Sequence, residues 1–128
     1  MLTSVLLLLA AQAPALPPAA SDELLVIGQR LRDWRGRVSP AGASLRCVTE
    51  RSTGDPEIDG IGCATMVACI APMRGRIADA GHRRHSRQQQ RALEAAYSRD
   101  LTACFTEQHD RRSADLAERR YRARNGTN

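Results

Sequence analysis

Residues 60–73, GIGCATMVACIAPM, carry no charge and hold two of the four cysteines, Cys63 and Cys69. The run follows Asp55-Pro56-Glu57. An aspartate able to cap, a proline at the first helical position and an acid in the first turn together start a helix. At 100° per residue Ile58, Gly62, Thr65, Met66, Cys69 and Met73 share one face, and Cys63, Val67 and Ile70 widen it. A helix apolar over so broad an arc is a buried one. The run is shorter than the about 20 apolar residues that cross a bilayer, which makes it a core helix. Pro72 removes a backbone donor and crowds the carbonyl four residues back, so the helix kinks or stops there. A second piece is expected over residues 73–80.

The spacing of the cysteines limits their pairing. Six residues of helix separate Cys63 from Cys69, a rise of about 9 Å. A disulfide needs Cα atoms about 4.4–6.8 Å apart, so these two are expected to reach different partners. Two pairings remain open: Cys47–Cys63 with Cys69–Cys104, or Cys47–Cys69 with Cys63–Cys104. The first closes the shorter loops; the second suits an antiparallel helical hairpin turning near His82. Either one ties the central helix to the segment before it and to the segment after it.

Upstream, residues 44–51 (SLRCVTER) set Leu45, Cys47 and Thr49 against Arg46, Val48 and Glu50, the alternation of a short strand. Residues 35–42 read as turn material, rich in Gly, Pro and Ser. Ser21-Asp22-Glu23 suits a helix start, and Leu24, Ile27, Leu31 and Trp34 recur at helical spacing. A helix is expected over residues 29–34, with residues 24–27 open between helix and strand. Downstream, the pattern is helical from His85 to Arg122. Leu93, Tyr97, Leu101, Cys104 and Phe105 form the expected buried stripe. Glu107–Arg111, Asp115–Arg119 and Glu118–Arg122 are acid-before-base pairs one turn apart, each supporting a helix by about 0.2–0.5 kcal/mol. Beyond Gln108 the stripe thins to Leu116 and Tyr121, and that end is expected to project into solvent. The echo between Arg35-Gly36-Arg37-Val38 and Arg74-Gly75-Arg76-Ile77 fades on both sides and reads as coincidence.

Residues 1–13 (MLTSVLLLLAAQA) and the Pro- and Ala-rich stretch after them have the layout of a secretory signal peptide, although no basic residue precedes the apolar run. The expected organisation is a signal peptide over residues 1–20, cleaved between about 13 and 21. A single small domain follows over 21–124, with a disordered tail at 125–128. Four cysteines in an exported chain read as two disulfides. The chain has 3 % aromatic residues, so its core is built from small side chains and depends on those cross-links, each worth about 2–4 kcal/mol. No transmembrane segment is expected after signal cleavage.

All nineteen basic residues are arginine, and the formal net charge is +5. A GC-rich genome accounts for the missing lysine. The excess lies from His82 onward, where the turn HRRHSRQQQR places Arg83, Arg84, Arg87 and Arg91 together. They are the candidate anion-binding residues; lipopolysaccharide or an acidic glycan is the anion that an exported protein meets. Nucleic acid is not expected, because no aromatic or motif signal accompanies the charge. His82 and His85 lack any metal-ligand frame, and neither a metal nor a cofactor is expected. The catalytic motifs of hydrolases and of nucleotide- and dinucleotide-binding enzymes are missing, no Cys-x-x-Cys pair exists, and Asp55, Glu57 and Asp59 suit a helix N-terminus without further purpose.

Two stretches resemble known proteins. Residues 22–29 (DELLVIGQ) are similar to the acidic-then-aliphatic box after the signal peptide of outer-membrane receptors in GC-rich Gram-negative bacteria, whose plug and barrel need a far longer chain. Arg51-Ser52-Thr53-Gly54-Asp55 with Ile58-Asp59, Ile61-Gly62-Cys63 and Cys69-Ile70 resembles a set of uncharacterised small exported disulfide-containing proteins of the same bacteria. The second resemblance implies a compartment and a disulfide pattern, and no activity. Helical periplasmic stress sensors carry Leu-Thr-x-x-Gln, but here Phe105 stands where the glutamine belongs.

The sequence therefore predicts a mainly α domain with one short extended or hairpin segment, stapled by Cys47, Cys63, Cys69 and Cys104. The expected role is that of a non-enzymatic periplasmic or secreted protein that binds a partner protein or builds the envelope. The alternative is binding of an anionic envelope polymer through the Arg-rich C-terminal helix.

Overall fold

The computed structural model describes residues 17–126. Most of the expected signal peptide, and Thr127 and Asn128 of the expected tail, lie outside them. The elements run α1 (Pro18–Asp33), β1 (Arg35–Ala41), β2 (Ser44–Arg51), α2 (Pro56–Ile70), a single 3₁₀ turn (Ala71–Met73), α3 (Arg74–Ala80) and α4 (Arg87–Arg124). Helices dominate, and one antiparallel hairpin packs on them.

The central helix forms as its sequence dictates. The Asp55 carboxylate accepts hydrogen bonds from the backbone N–H groups of Glu57 (3.0 Å) and Ile58 (3.4 Å), and Pro56 takes the first helical position. Ile58, Ile61, Gly62, Thr65 and Cys69 are buried. The helix ends at Ile70, two residues before Pro72, and the chain passes through the 3₁₀ turn into α3. Taken as one run, Pro56–Ala80 is long and apolar enough to cross a membrane by length and composition. Within that run the 3₁₀ turn containing Pro72 interrupts the α-helix, and α2 buries Ile58, Ile61, Gly62, Thr65 and Cys69 against the rest of the chain.

Both cysteines of α2 are cross-linked, Cys63 to Cys47 on β2 and Cys69 to Cys104 on α4. Of the two open pairings, the structure takes the one with the shorter loops. Two disulfides are consistent with an oxidising extracellular or periplasmic environment.

Three expectations are corrected. Helix α1 starts at Pro18, with Pro17 as its cap residue, and includes residues 24–27. Ser21 is therefore not the cap; its N–H donates to the Pro17 carbonyl at 3.0 Å. A proline at the first helical position sacrifices no hydrogen bond, which lets the helix begin four residues early. Residues 35–41, read as turn, form β1 and pair with β2 in the register Val38↔Cys47 and Ala41↔Ser44. The two-residue connection has a positive φ of 63° at Gly42, its first position. That is the II′ pattern whose twist matches a hairpin. The third correction concerns α4. Its fully buried residues are Ser113, Leu116 and Ala117, while Leu93, Tyr97, Leu101, Cys104 and Phe105 are only half-buried. Leu116 and Ala117 join Ile27, Ile58 and Ile61 in the core cluster. The end expected to project into solvent is thus the end on which α1 and α2 converge. Small side chains at 113 and 117 let the helix axes approach, a form of burial that hydrophobic patterning undercounts.

Trp34, just past α1, joins the hairpin to α2. Its indole N–H donates to Thr49 Oγ1 at 3.2 Å. A Cβ at Gly62 would lie 2.5 Å from the indole ring, and one at Gly36 would also overlap it. These two glycines make the slot the ring fills.

Candidate functional site

The arginine-rich turn is rigidly built. Ser86 caps α4 by accepting from the Gln89 N–H (3.2 Å), and the Gln89 side chain accepts from the Ser86 N–H (2.8 Å), a reciprocal capping box. The Gln90 amide donates to the carbonyls of His82 (3.1 Å) and His85 (3.5 Å). Arg84 pairs with Asp79, and His85 Nε2 lies 3.4 Å from the same carboxylate. His82 Nδ1 accepts from the Arg84 backbone N–H (3.2 Å). Arg83, Arg87 and Arg91 are exposed and, among the described residues, form no ion pair. Arg87 and Arg91 stand one turn apart, about 6 Å along the helix. Of the four candidate anion ligands, three are therefore free and one is neutralised. Among the described residues no group of three His, Cys, Asp or Glu side chains could hold a metal ion.

At the opposite end of α4, Arg120 does different work. Its guanidinium donates to Glu23 Oε1 (2.9 Å), Asp55 Oδ2 (2.6 Å) and Glu57 Oε2 (2.8 Å), gathering the starts of α1 and α2 onto α4. Arg124 adds a second contact to Glu23 at 3.3 Å. The Arg120 hydrogen bond holds the Glu23 carboxyl below its ordinary range against the opposing effect of burial, and Arg124 helps. Burial pushes the Asp55 carboxyl up, but hydrogen bonds from Arg120 and from the Ile58 and Glu57 N–H groups outweigh it and hold it low. Burial would likewise raise Asp59, whose hydrogen bonds from Ser52 and Thr53 keep it low. The three acids at the start of α2 are thus occupied by structural contacts. Arg120 carries no sequence signal, since its partners lie 63–97 residues away.

Sequence reasoning also missed a cleft of about 570 Å³ between α1 and α4. Leu24, Leu25, Gly28 and Leu31 give it an apolar wall, and Arg32, Thr106, His109, Asp110 and Ser113 line the rest. Its volume falls in the range of ligand-sized sites, about 300–1,000 Å³. Leu25 on its rim is 60 % exposed, and the neighbouring Val26 is 42 % exposed. Burial lowers the His109 imidazole from its ordinary value, and the Asp110 charge opposes that only in part. His109, Asp110 and Ser113 share one wall, but no hydrogen bond joins them among the described residues, and a nucleophile needs that contact with its base. Gly28 lies inside α1, where glycine costs about 1 kcal/mol relative to alanine. A Cβ there would meet nothing within 4 Å.

No family model, curated protein or solved structure matches this chain.

Proposed function

We propose that this is a non-enzymatic protein of the bacterial periplasm, exported by its N-terminal signal peptide, that works by binding a protein partner through the α1–α4 cleft. The observation that carries this reading is the uncovered apolar surface at that cleft, where Leu25 is 60 % exposed beside a space of about 570 Å³. Exposed aliphatic side chains at the mouth of an open apolar groove mark interaction surfaces. The two disulfides suit an oxidising compartment. The test is a photo-crosslinking residue at position 25 in intact cells, with position 48 on the hairpin's outer face as control. Crosslinking at 25 and not at 48, unchanged by added salt, supports the cleft. Equal yields at the two positions overturn it.

A second reading, binding of an anionic envelope polymer, is favoured by the three arginines without acid partners at the start of α4. Binding of lipopolysaccharide or an acidic glycan is then expected to weaken steeply between 0.01 and about 1 M salt, over which the screening length shortens from about 30 to 3 Å. Retention at high salt would sink this reading.

A further inference from the structure

We infer that this chain pairs with a second copy of itself along the outer edge of β2, about a two-fold axis at Val48, so that two hairpins make one four-stranded antiparallel sheet. The surface is separate from the α1–α4 cleft, and the inference does not rest on the reading of that cleft.

The register of the hairpin leaves this edge open. Ala41 and Ser44 flank the two-residue connection as a hydrogen-bonded pair, and such pairs alternate along an antiparallel ladder. The backbone groups of Ser44, Arg46 and Val48 therefore point to β1, and those of Leu45, Cys47 and Thr49 point away from it. Among the described residues, no hydrogen bond from elsewhere in the chain reaches the backbone of these last three. On β1 the outward set is Gly36, Val38 and Pro40, and the proline, which has no N–H, blunts that edge.

A two-fold interface is built from one patch that complements itself. With the axis at Val48, Cys47 and Thr49 of each copy exchange backbone hydrogen bonds with Thr49 and Cys47 of the other. On the outer face Val48 meets Val48, and Arg46 of each copy meets Glu50 of the other. Glu50 is on that face, since it pairs at 3.2 Å with Arg37, which stands opposite Val48. Arg37 holds Glu50 Oε1, which leaves Oε2 for the second copy's arginine. Arg46 is exposed and, among the described residues, forms no ion pair. The pairing with β1 skips Glu50, beyond the hydrogen bonds that Cys47 and Thr49 supply.

The layer under the sheet fits the same axis. Helix α2 lies under both strands. Gly62 faces the Trp34 ring, which also fills the space over Gly36 of β1, and Cys63, 100° further round the helix, is bonded to β2. Continuing the same way, Val67, Gly60 and Ala64 come at about 140–200° from Gly62. This stripe therefore faces the same side as the open edge of β2. None of its three residues is buried, and a Cβ at Gly60 would meet nothing within 4 Å. Strands about 4.8 Å apart, with one helix under each hairpin, set the two α2 axes about 10 Å apart, an ordinary packing distance. Helix α2 runs back along β2, so the level of Val48, one residue past Cys47, falls between Gly60 and Ala64. Gly60 of each copy then lies against Ala64 of the other.

The experiment is sedimentation velocity on the purified, oxidised protein from about 1 to 300 μM, a span that brackets weak to moderate association. A reversible dimer is expected. Gly60→Leu should weaken it at least tenfold without lowering the thermal midpoint of the dilute protein, because the new side chain enters open space in the single chain. Arg46→Glu and Glu50→Arg should each weaken it about tenfold by setting like charges opposite each other, and the double swap should restore it to within about threefold. Val48→Cys should give a covalent dimer on oxidation and Arg46→Cys should not, since only position 48 faces itself across the axis. A protein monomeric across the range, a dimer that Gly60→Leu leaves intact, a double swap no better than the single variants, or no covalent dimer from Val48→Cys overturns the inference. The cleft is judged apart from this: a crosslinker at position 48 captures this chain itself, and mass separates that product from another protein captured at position 25.

Discussion

The two ends of α4 use the same residue type in opposite ways. Near its C-terminus, Arg120 is 24 % exposed and faces three carboxylates from two other helices. Near its N-terminus, Arg83, Arg87 and Arg91 are exposed and, among the described residues, pair with none. The difference lies in the supply of acids. The starts of α1 and α2 bring Glu23, Asp55 and Glu57 to one point, whereas the turn before α4 holds no acid of its own and borrows Asp79 from α3, which Arg84 and His85 share. Arginine composition gives the net charge; which arginines are structural depends on where the acids are held.

The largest expected effect comes from breaking the buried end directly. Leu116 is 1 % exposed within the core cluster, while Leu93 near the other end is half-buried. Leu116→Ala should cost about 3 kcal/mol, through lost burial and the cavity left behind. Leu93→Ala should cost less than about 1 kcal/mol, because less of its surface is removed from water. Denaturant unfolding of the oxidised protein measures both. Equal losses would show that α4 is anchored uniformly and would remove the contrast.

Next is Arg120→Met, which keeps the length of the side chain and deletes the charge. It leaves Glu23 and Asp55 facing each other across a partly buried junction, at a cost of about 2 kcal/mol. That lies below the about 3–5 kcal/mol of a fully buried broken pair because water reaches this site. A loss under about 0.5 kcal/mol would place Arg120 with ordinary surface arginines.

The pH profile sharpens the same point. Glu23 and Asp55 are held below their ordinary values of 4.5 and 3.8. A depressed carboxyl binds fewer protons folded than unfolded, so its stabilisation is complete above the unfolded value and is lost as pH falls through the folded one. The stability of the native sequence should therefore fall below about pH 4.5. Arg120→Met should flatten that fall without abolishing it, because Asp55 keeps its backbone donors and Asp59 its hydroxyl partners. Parallel profiles for the two proteins would rule out the Arg120 clamp as the source.

What could be read in advance follows from the range of each interaction. The α2 start, its end near Pro72, the inward face of β2 and the separate partners of Cys63 and Cys69 are set within a few residues, and all are present. The Arg-Gly-Arg echo shows the limit. At residues 35–37 it lies in a strand, held by pairing to β2, and at 74–76 in a helix continuing from Pro72. Local composition is identical; the partner decides. Of the three expected i, i+4 pairs, only Glu118–Arg122 is among the ion pairs of the described residues. The cleft was not legible because it needs α1 and α4 side by side, and its glycine and exposed leucine look unremarkable in a helical pattern.

The smallest effect on stability, and the most informative about function, is expected from Arg83→Gln, Arg87→Gln and Arg91→Gln together. These side chains are exposed and unpaired, and Arg87 and Arg91 repel each other mildly across one turn. Their removal should change unfolding free energy by less than about 0.5 kcal/mol, in either direction. If this end of α4 is the anion-binding surface, the same variant loses salt-sensitive retention on lipopolysaccharide while Arg120→Met keeps it. If the triple variant is retained as well as the native protein, the free arginines are solvated surface. The partner-binding cleft is then the one surface of the two that remains, and the charge asymmetry of α4 reflects only where its acids lie.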